Sequence, residues 1–181
     1  MKLTSRTLTN ALAATAVAAS AFAFTPVYAA GDGDSSTTLP QCRKGKVWDK
    51  SKKKCVVVKS NLLDDNNLYE AARDLAFTGR YDEAIVTLSY ASNKSDPRVL
   101  NYLGYSHRKA GRIDVGMGYY KEALRIDPDY TLVRSYMGEA FLQKGDLASA
   151  REQLVEIEKR CGTGCAEYAE LKKQIDAYKV N

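Results

Sequence analysis

The sequence predicts an all-α solenoid of three helix pairs with a C-terminal capping helix, preceded by a small disulfide-stapled β-hairpin. Three observations carry that expectation. Gly79, Gly111 and Gly145 return at steps of 32 and 34 residues, each with the same apolar and small residues at the same offsets. Asp96-Pro97 and Asp127-Pro128 mark where the second and third units begin, because Asp can cap a helix and Pro stops the preceding one. Cys42 and Cys55, then Cys161 and Cys165, flank the repeat region as two close pairs.

Taken in order, the chain opens with Lys2 and Arg6 before an apolar, Ala-rich run from Ala11 to Phe24, followed by Ala29 as a small residue for a signal peptidase. Residues 1–29 therefore read as a cleaved secretory signal, which directs the chain to the periplasm. The alternative, an uncleaved anchor, lacks a stop-transfer flank. A lipoprotein would need a cysteine earlier than Cys42. Residues 30–41 are mostly Gly, Asp, Ser and Thr, with one each of Ala, Leu, Pro and Gln, which cannot offset their ordering entropy and read as a flexible linker.

Residues 42–60 read as a hairpin, with one strand around Lys46 to Trp48 and another around Cys55 to Val58 flanking a polar turn. In an oxidising compartment four cysteines form an even set with three possible connectivities, and proximity favours Cys42 with Cys55 and Cys161 with Cys165. Closing the first loop contributes about 3 kcal/mol in the chain-entropy model, which so short a segment needs. Trp48 is expected as its miniature core. Lys50, Lys52, Lys53 and Lys54 crowd the turn, either as a solvated loop or as a foot on an anionic envelope surface.

Residues 61–181 carry the array, with repeats at about 65–96, 97–130 and 131–161 and a capping helix over 166–180. Leu68, Ala71, Ala72 and Leu75 fall at helical spacing, Gly79 interrupts them, and Tyr81, Ala84, Ile85 and Leu88 begin a second stripe. In the capping helix Tyr168, Leu171, Ile175 and Tyr178 share one face. The small residues Gly104, Gly138, Ala84 and Ala150 sit where two helices are to approach within roughly 8–10 Å.

The offsets Leu100, Leu103, Gly104, Gly111, Tyr120, Ala123 and Pro128 resemble the tetratricopeptide repeat, with His107 in place of the usual aromatic. The third unit resembles it through Met137, Gly138, Phe141, Gly145, Ala150, Leu154 and Ile157, and Arg134 stands where a large apolar residue is common. The first unit is the most divergent. That resemblance implies a right-handed superhelix whose first helices line a concave groove for extended peptides or partner helices. Carried over position by position, the groove would be lined by Tyr69, Arg73, Arg98, Asn101, Tyr105, Arg108, Ser135, Glu139 and Leu142, with Asn66, Ala76 and Leu132 beside them. Tyr69, Arg73, Tyr102, Leu132 and Tyr136 occupy the places of the family's carboxylate clamp, so that ligand is not implied. A second, local resemblance links residues 42–56 to peritrophin-like chitin-binding hairpins and would make Trp48 a sugar platform.

Other function classes find less support. Without Lys2 and Arg6 the chain holds 25 basic and 22 acidic side chains, a balance that does not favour nucleic acid. No catalytic triad, phosphate loop or paired-carboxylate motif is present, so no enzyme and no cofactor is expected. Cys161 and Cys165 could act in thiol-disulfide exchange, but three residues separate them where redox motifs use two. No metal site is expected: His107, the sole histidine, cannot complete one with these sulfurs and reads as a core residue. The function that emerges is a non-enzymatic periplasmic adaptor for an unidentified protein or peptide. Its alternatives are an envelope module acting through the hairpin and a thiol-disulfide factor.

Overall fold

Seven helices and one two-stranded sheet are built over the described residues 40, 42–58 and 63–178 of a computed structural model. The expected signal segment lies outside them, as does the expected linker apart from Pro40. All described residues belong to one compact unit. Strands β1 (Lys46–Asp49) and β2 (Lys54–Val57) pair antiparallel, with Val47 opposite Val56 and Trp48 opposite Cys55. Helices α1 (Asp65–Phe77) and α2 (Tyr81–Leu88) form the first pair, α3 (Pro97–Lys109) and α4 (Ile113–Ile126) the second, and α5 (Thr131–Gln143) and α6 (Leu147–Cys161) the third. Helix α7 (Ala166–Ala177) packs on both α5 and α6.

The same local chemistry makes each turn. Gly79, Gly111 and Gly145 all take φ near +80°, a conformation costly for a side chain. The N–H of the following residue then reaches back to the carbonyl five positions earlier, Arg80 to Leu75, Arg112 to His107 and Asp146 to Phe141, each at 2.9 Å. These are Schellman closures, and they satisfy carbonyls the helix end leaves orphaned. At the other end, the Asp64, Asp96 and Asp146 carboxylates accept from the backbone N–H groups of Asn67, Arg98 and Ser149.

Helix pairs close through the predicted small residues. A Cβ on Gly104 would stand 2.5 Å from the Tyr120 ring, and one on Gly116 would stand 2.7 Å from the Gly104 carbonyl oxygen. Gly138 does the same for the cap, with Leu171 filling the space its missing side chain leaves. Arg134, at its usually apolar position, is accommodated by donating to the Pro128 carbonyl and to Gln153.

Both predicted disulfides are present, Cys42–Cys55 with Cα atoms 5.7 Å apart and Cys161–Cys165 at 5.9 Å. The hairpin is not an independent appendage. Val47, Val56 and Val58 join the hydrophobic cluster of Leu63, Leu68 and Leu75, and Lys50 pairs with Glu70 at 2.7 Å. Glu83 is gripped by Arg80 and accepts from the Gly45 N–H, while Arg80 also donates to the Cys42 carbonyl. At the hairpin turn the Asp49 carboxylate accepts from the Ser51 hydroxyl and the Ser51 and Lys52 amides, which holds its pKa far below the carboxylate range.

Two expectations are corrected. Val47, not Trp48, is the buried residue of the hairpin: strand alternation turns Val47 toward the apolar first repeat and leaves Trp48 half-buried on the other face. His107 is likewise half-buried, not in the core. It lies at the end of α3, stacks on Tyr119 at 5.4 Å and accepts from Arg112, and burial lowers its pKa.

Two glycines two residues apart on α4, Gly116 and Gly118, should respond oppositely to alanine. Gly116→Ala forces α3 and α4 apart and should lower stability by about 1–3 kcal/mol. Gly118→Ala meets open space and should raise it by up to about 1 kcal/mol through helix propensity. Urea denaturation of the two variants measures both.

Candidate functional site: an aromatic and arginine belt on the first helices

The first helices of the three pairs present an unbroken run of aromatic rings. From α1 come Tyr69 and Phe77, from α3 Tyr102 and Tyr105, and from α5 Tyr136. Tyr69 meets Tyr102 edge-on at 5.5 Å, Phe77 meets both Tyr102 and Tyr105, and Tyr105 lies 4.9 Å from Tyr136. Such edge-on and tilted contacts let the positive edge of one ring meet the negative face of the next.

Cations lie over these rings. The Arg98 guanidinium sits 4.9 Å from the Tyr69 centroid, Arg73 lies 4.8 Å from Phe77, and Arg108 lies over Tyr105 and Tyr136. Arg73 Nε also donates to the Tyr102 hydroxyl at 3.2 Å, and Arg98 to Asp96. Arg108 has the most demanding environment, being only 2% exposed. Burial works against its charge, but Tyr120 and Glu139 outweigh that cost and leave its pKa above the ordinary value. The Glu139 carboxylate lies 2.7 Å away and the Tyr120 hydroxyl 3.3 Å away.

The predicted site residues separate into two layers. Tyr69, Arg73, Tyr105 and Glu139 are half-buried and Arg98 is exposed, so these five reach the surface. Asn101, Arg108, Ser135 and Leu142 lie beneath it, with Asn101 at 0% and Ser135 at 2% exposure. Those four sit under the belt and do not line it, because neighbouring first helices bring covering side chains from about 30 residues away in sequence. Asn101 is unusual, since neither atom of its side-chain amide has a hydrogen-bond partner among the described residues. Of the neighbouring positions, Asn66 is exposed, Leu132 half-buried and Ala76 buried.

Phe77 and Tyr130 were missed. Phe77 is 49% exposed and follows Tyr69 and Arg73 at intervals of four, a spacing visible in the sequence that the family's positions pass over. Tyr130 lies just before α5, and burial together with Tyr69 and Tyr102 nearby raises its pKa.

With this geometry in view, the profile of the tetratricopeptide repeat family matches residues 107–175. Residues 107–175 thus carry the tetratricopeptide repeat pattern. Its repeat array is similar to the type III secretion chaperone SycD of Yersinia enterocolitica, solved with a peptide of the translocator YopD. That likeness has TM-score 0.52 and 22% identity, and covers 62% of this chain and 87% of the other. The first tetratricopeptide domain of Spaghetti (RPAP3), bound to a peptide of HSP90, superposes with TM-score 0.55 and 18% identity over 66% and 94% of the two chains. PcrH in complex with the chaperone-binding region of PopB gives 0.52 and 18% over 63% and 93%. At these identities the likeness concerns the fold. An uncharacterized protein of Guillardia theta, ycf37, is 22% identical over 107 residues, 55% of this chain, and the match spans 60% of that relative.

Other candidate chemistry is limited. The sulfurs of Cys161 and Cys165 and the Glu167 carboxylate lie within 4.8 Å of one another, but with the sulfurs joined in a disulfide there is no thiolate to bind a metal or attack a substrate. At the hairpin, Lys50 is neutralised by Glu70 and Lys52 by Asp49, so only part of the predicted lysine foot is left for an anionic surface.

The belt makes two measurable predictions. Arg108→Ala leaves Glu139 without its partner and should cost about 3–5 kcal/mol in urea denaturation, with Arg108→Met/Glu139→Leu recovering most of that loss. Burial pushes Tyr102 and Tyr105 up to about 12 from an ordinary value of 10.0. A raised folded pKa means the contribution is intact below pH 10 and is lost as pH climbs from 10 toward 12. The urea midpoint should therefore drop across that window, and less so in Tyr102→Phe.

Proposed function

We propose that the protein is a non-enzymatic adaptor of the periplasm that binds an extended segment of a partner protein across the belt. The observation that carries this reading is the placement of half-buried Tyr69 and Tyr105, exposed Phe77 and the cations Arg73 and Arg98 on one continuous surface of α1 and α3. Rings that are rigid and amphipathic, flanked by planar guanidinium donors, suit a peptide. They bury its side chains at little entropic cost and bond its carbonyls and carboxylates. The three solved relatives each hold a segment of another protein.

The periplasmic part of the proposal rests on the N-terminal signal pattern and on two disulfides, which persist in oxidising compartments. Crosslinking mass spectrometry in intact cells, comparing wild type with Arg73→Ala/Arg98→Ala/Tyr105→Ala, tests the binding surface. The expected outcome is loss of a reproducible crosslinked partner from the triple variant with the fold retained. An identical partner list from both, or fractionation that leaves the chain unprocessed in the cytoplasm, would count against it.

A further inference from the structure

A second recess lies away from the belt, between the open end of the hairpin and α2, with a volume of about 340 Å³. That is within the roughly 300–1,000 Å³ of small-ligand pockets. Its floor is apolar: Val47 and Leu75 are buried there and Val58 is half-buried. Its two walls carry Val57 from β2, Val86 from α2 and Tyr90 just beyond α2, exposed by 46%, 54% and 37%. Single exposed apolar residues are normal, whereas three facing one recess form a patch that binding can cover.

Charge settles the kind of partner. Lys44 and Lys46 are exposed at the rim, and neither forms an ion pair among the described residues. Glu83, the acid in the lining, is held by two bonds from Arg80 and one from the Gly45 N–H, with its pKa lowered chiefly by Arg80. Its charge is already answered, so the rim presents an excess of positive charge around an aliphatic floor.

We propose that this cleft docks an acidic peptide segment that places aliphatic side chains on Val47, Val57 and Val86 and carboxylates on Lys44 and Lys46. A peptide fits better than an acyl chain because the apolar surface is divided between two open walls. A peptide backbone can run outside such a recess while its side chains enter, whereas an acyl chain gains most from enclosure. Gly45 assists: with φ +78° and open space where a side chain would stand, it leaves the mouth clear. The site is separate from the belt, so it stands or falls independently of the adaptor reading.

The test is a titration of the ¹⁵N-labelled protein with a synthetic peptide in which three aliphatic residues are flanked on each side by two carboxylates. Amide signals of Gly45, Val47, Val86 and Tyr90 should shift saturably, while those of Tyr69, Tyr105 and Glu139 stay in place. Lys44→Glu/Lys46→Glu should weaken binding about tenfold or more. Val86→Asp, at an exposed position that keeps the fold, should abolish it. A control peptide with lysines for carboxylates should not bind, and ionic strength above about 0.5 M should weaken the acidic peptide. Equal affinity in the double-glutamate variant, shifts confined to the belt, or no binding would overturn the proposal. So would broadening of the same amides by phosphatidylglycerol vesicles without any response to the peptide, which would assign the cleft to a lipid surface.

Discussion

Close approach of α3 and α4 at Gly104 and Gly116 is the constraint on which the array depends. With no side chain at Gly104, the Tyr120 ring fills the crossing, and its hydroxyl accepts from the Arg108 guanidinium. Arg108 in turn pairs with Glu139 of the next repeat and underlies Tyr105 and Tyr136. A contact between two glycines thus extends, through one tyrosine and one arginine, to the surface proposed to bind a partner. Packing and the proposed binding surface share these side chains, since a buried cation is tolerable only when hydrogen bonds and an opposing charge surround it.

The hairpin shows a related economy. Two short strands would be marginal alone, and the Cys42–Cys55 bridge limits the freedom of the unfolded segment. What fixes its position is Val47 in the core of the first repeat and the Glu83 grip between Arg80 and the Gly45 amide. Docking in that way covers the exposed side of the first helix pair as a cap would, and α7 does the same at the other end through Leu171 and Ile175. It also creates a recess that neither element has by itself.

Much of the architecture was legible in the residues. The periodic glycines located turns whose positive φ other residues adopt at a cost, and small residues at fixed offsets located the helix crossings. The surface was legible only in part. Tyr69, Arg73, Arg98, Tyr105 and Glu139 reach solvent from the positions the repeat pattern gives them, but Asn101, Arg108, Ser135 and Leu142 on the same stripes do not. Phe77 enters the belt from a position that the pattern leaves out.

The sequence alone determined the helix pairs, their turns, the capping helix and the two cysteine pairings, because each depends on residues within one repeat or one short loop. Tertiary structure decided which face of β1 is buried, which groove positions lie under the tyrosines, and that the hairpin leaves a cleft against α2. Those outcomes depend on side chains brought together from separate repeats and elements. Burial is a property of that assembled neighbourhood, and no single helical stripe contains it.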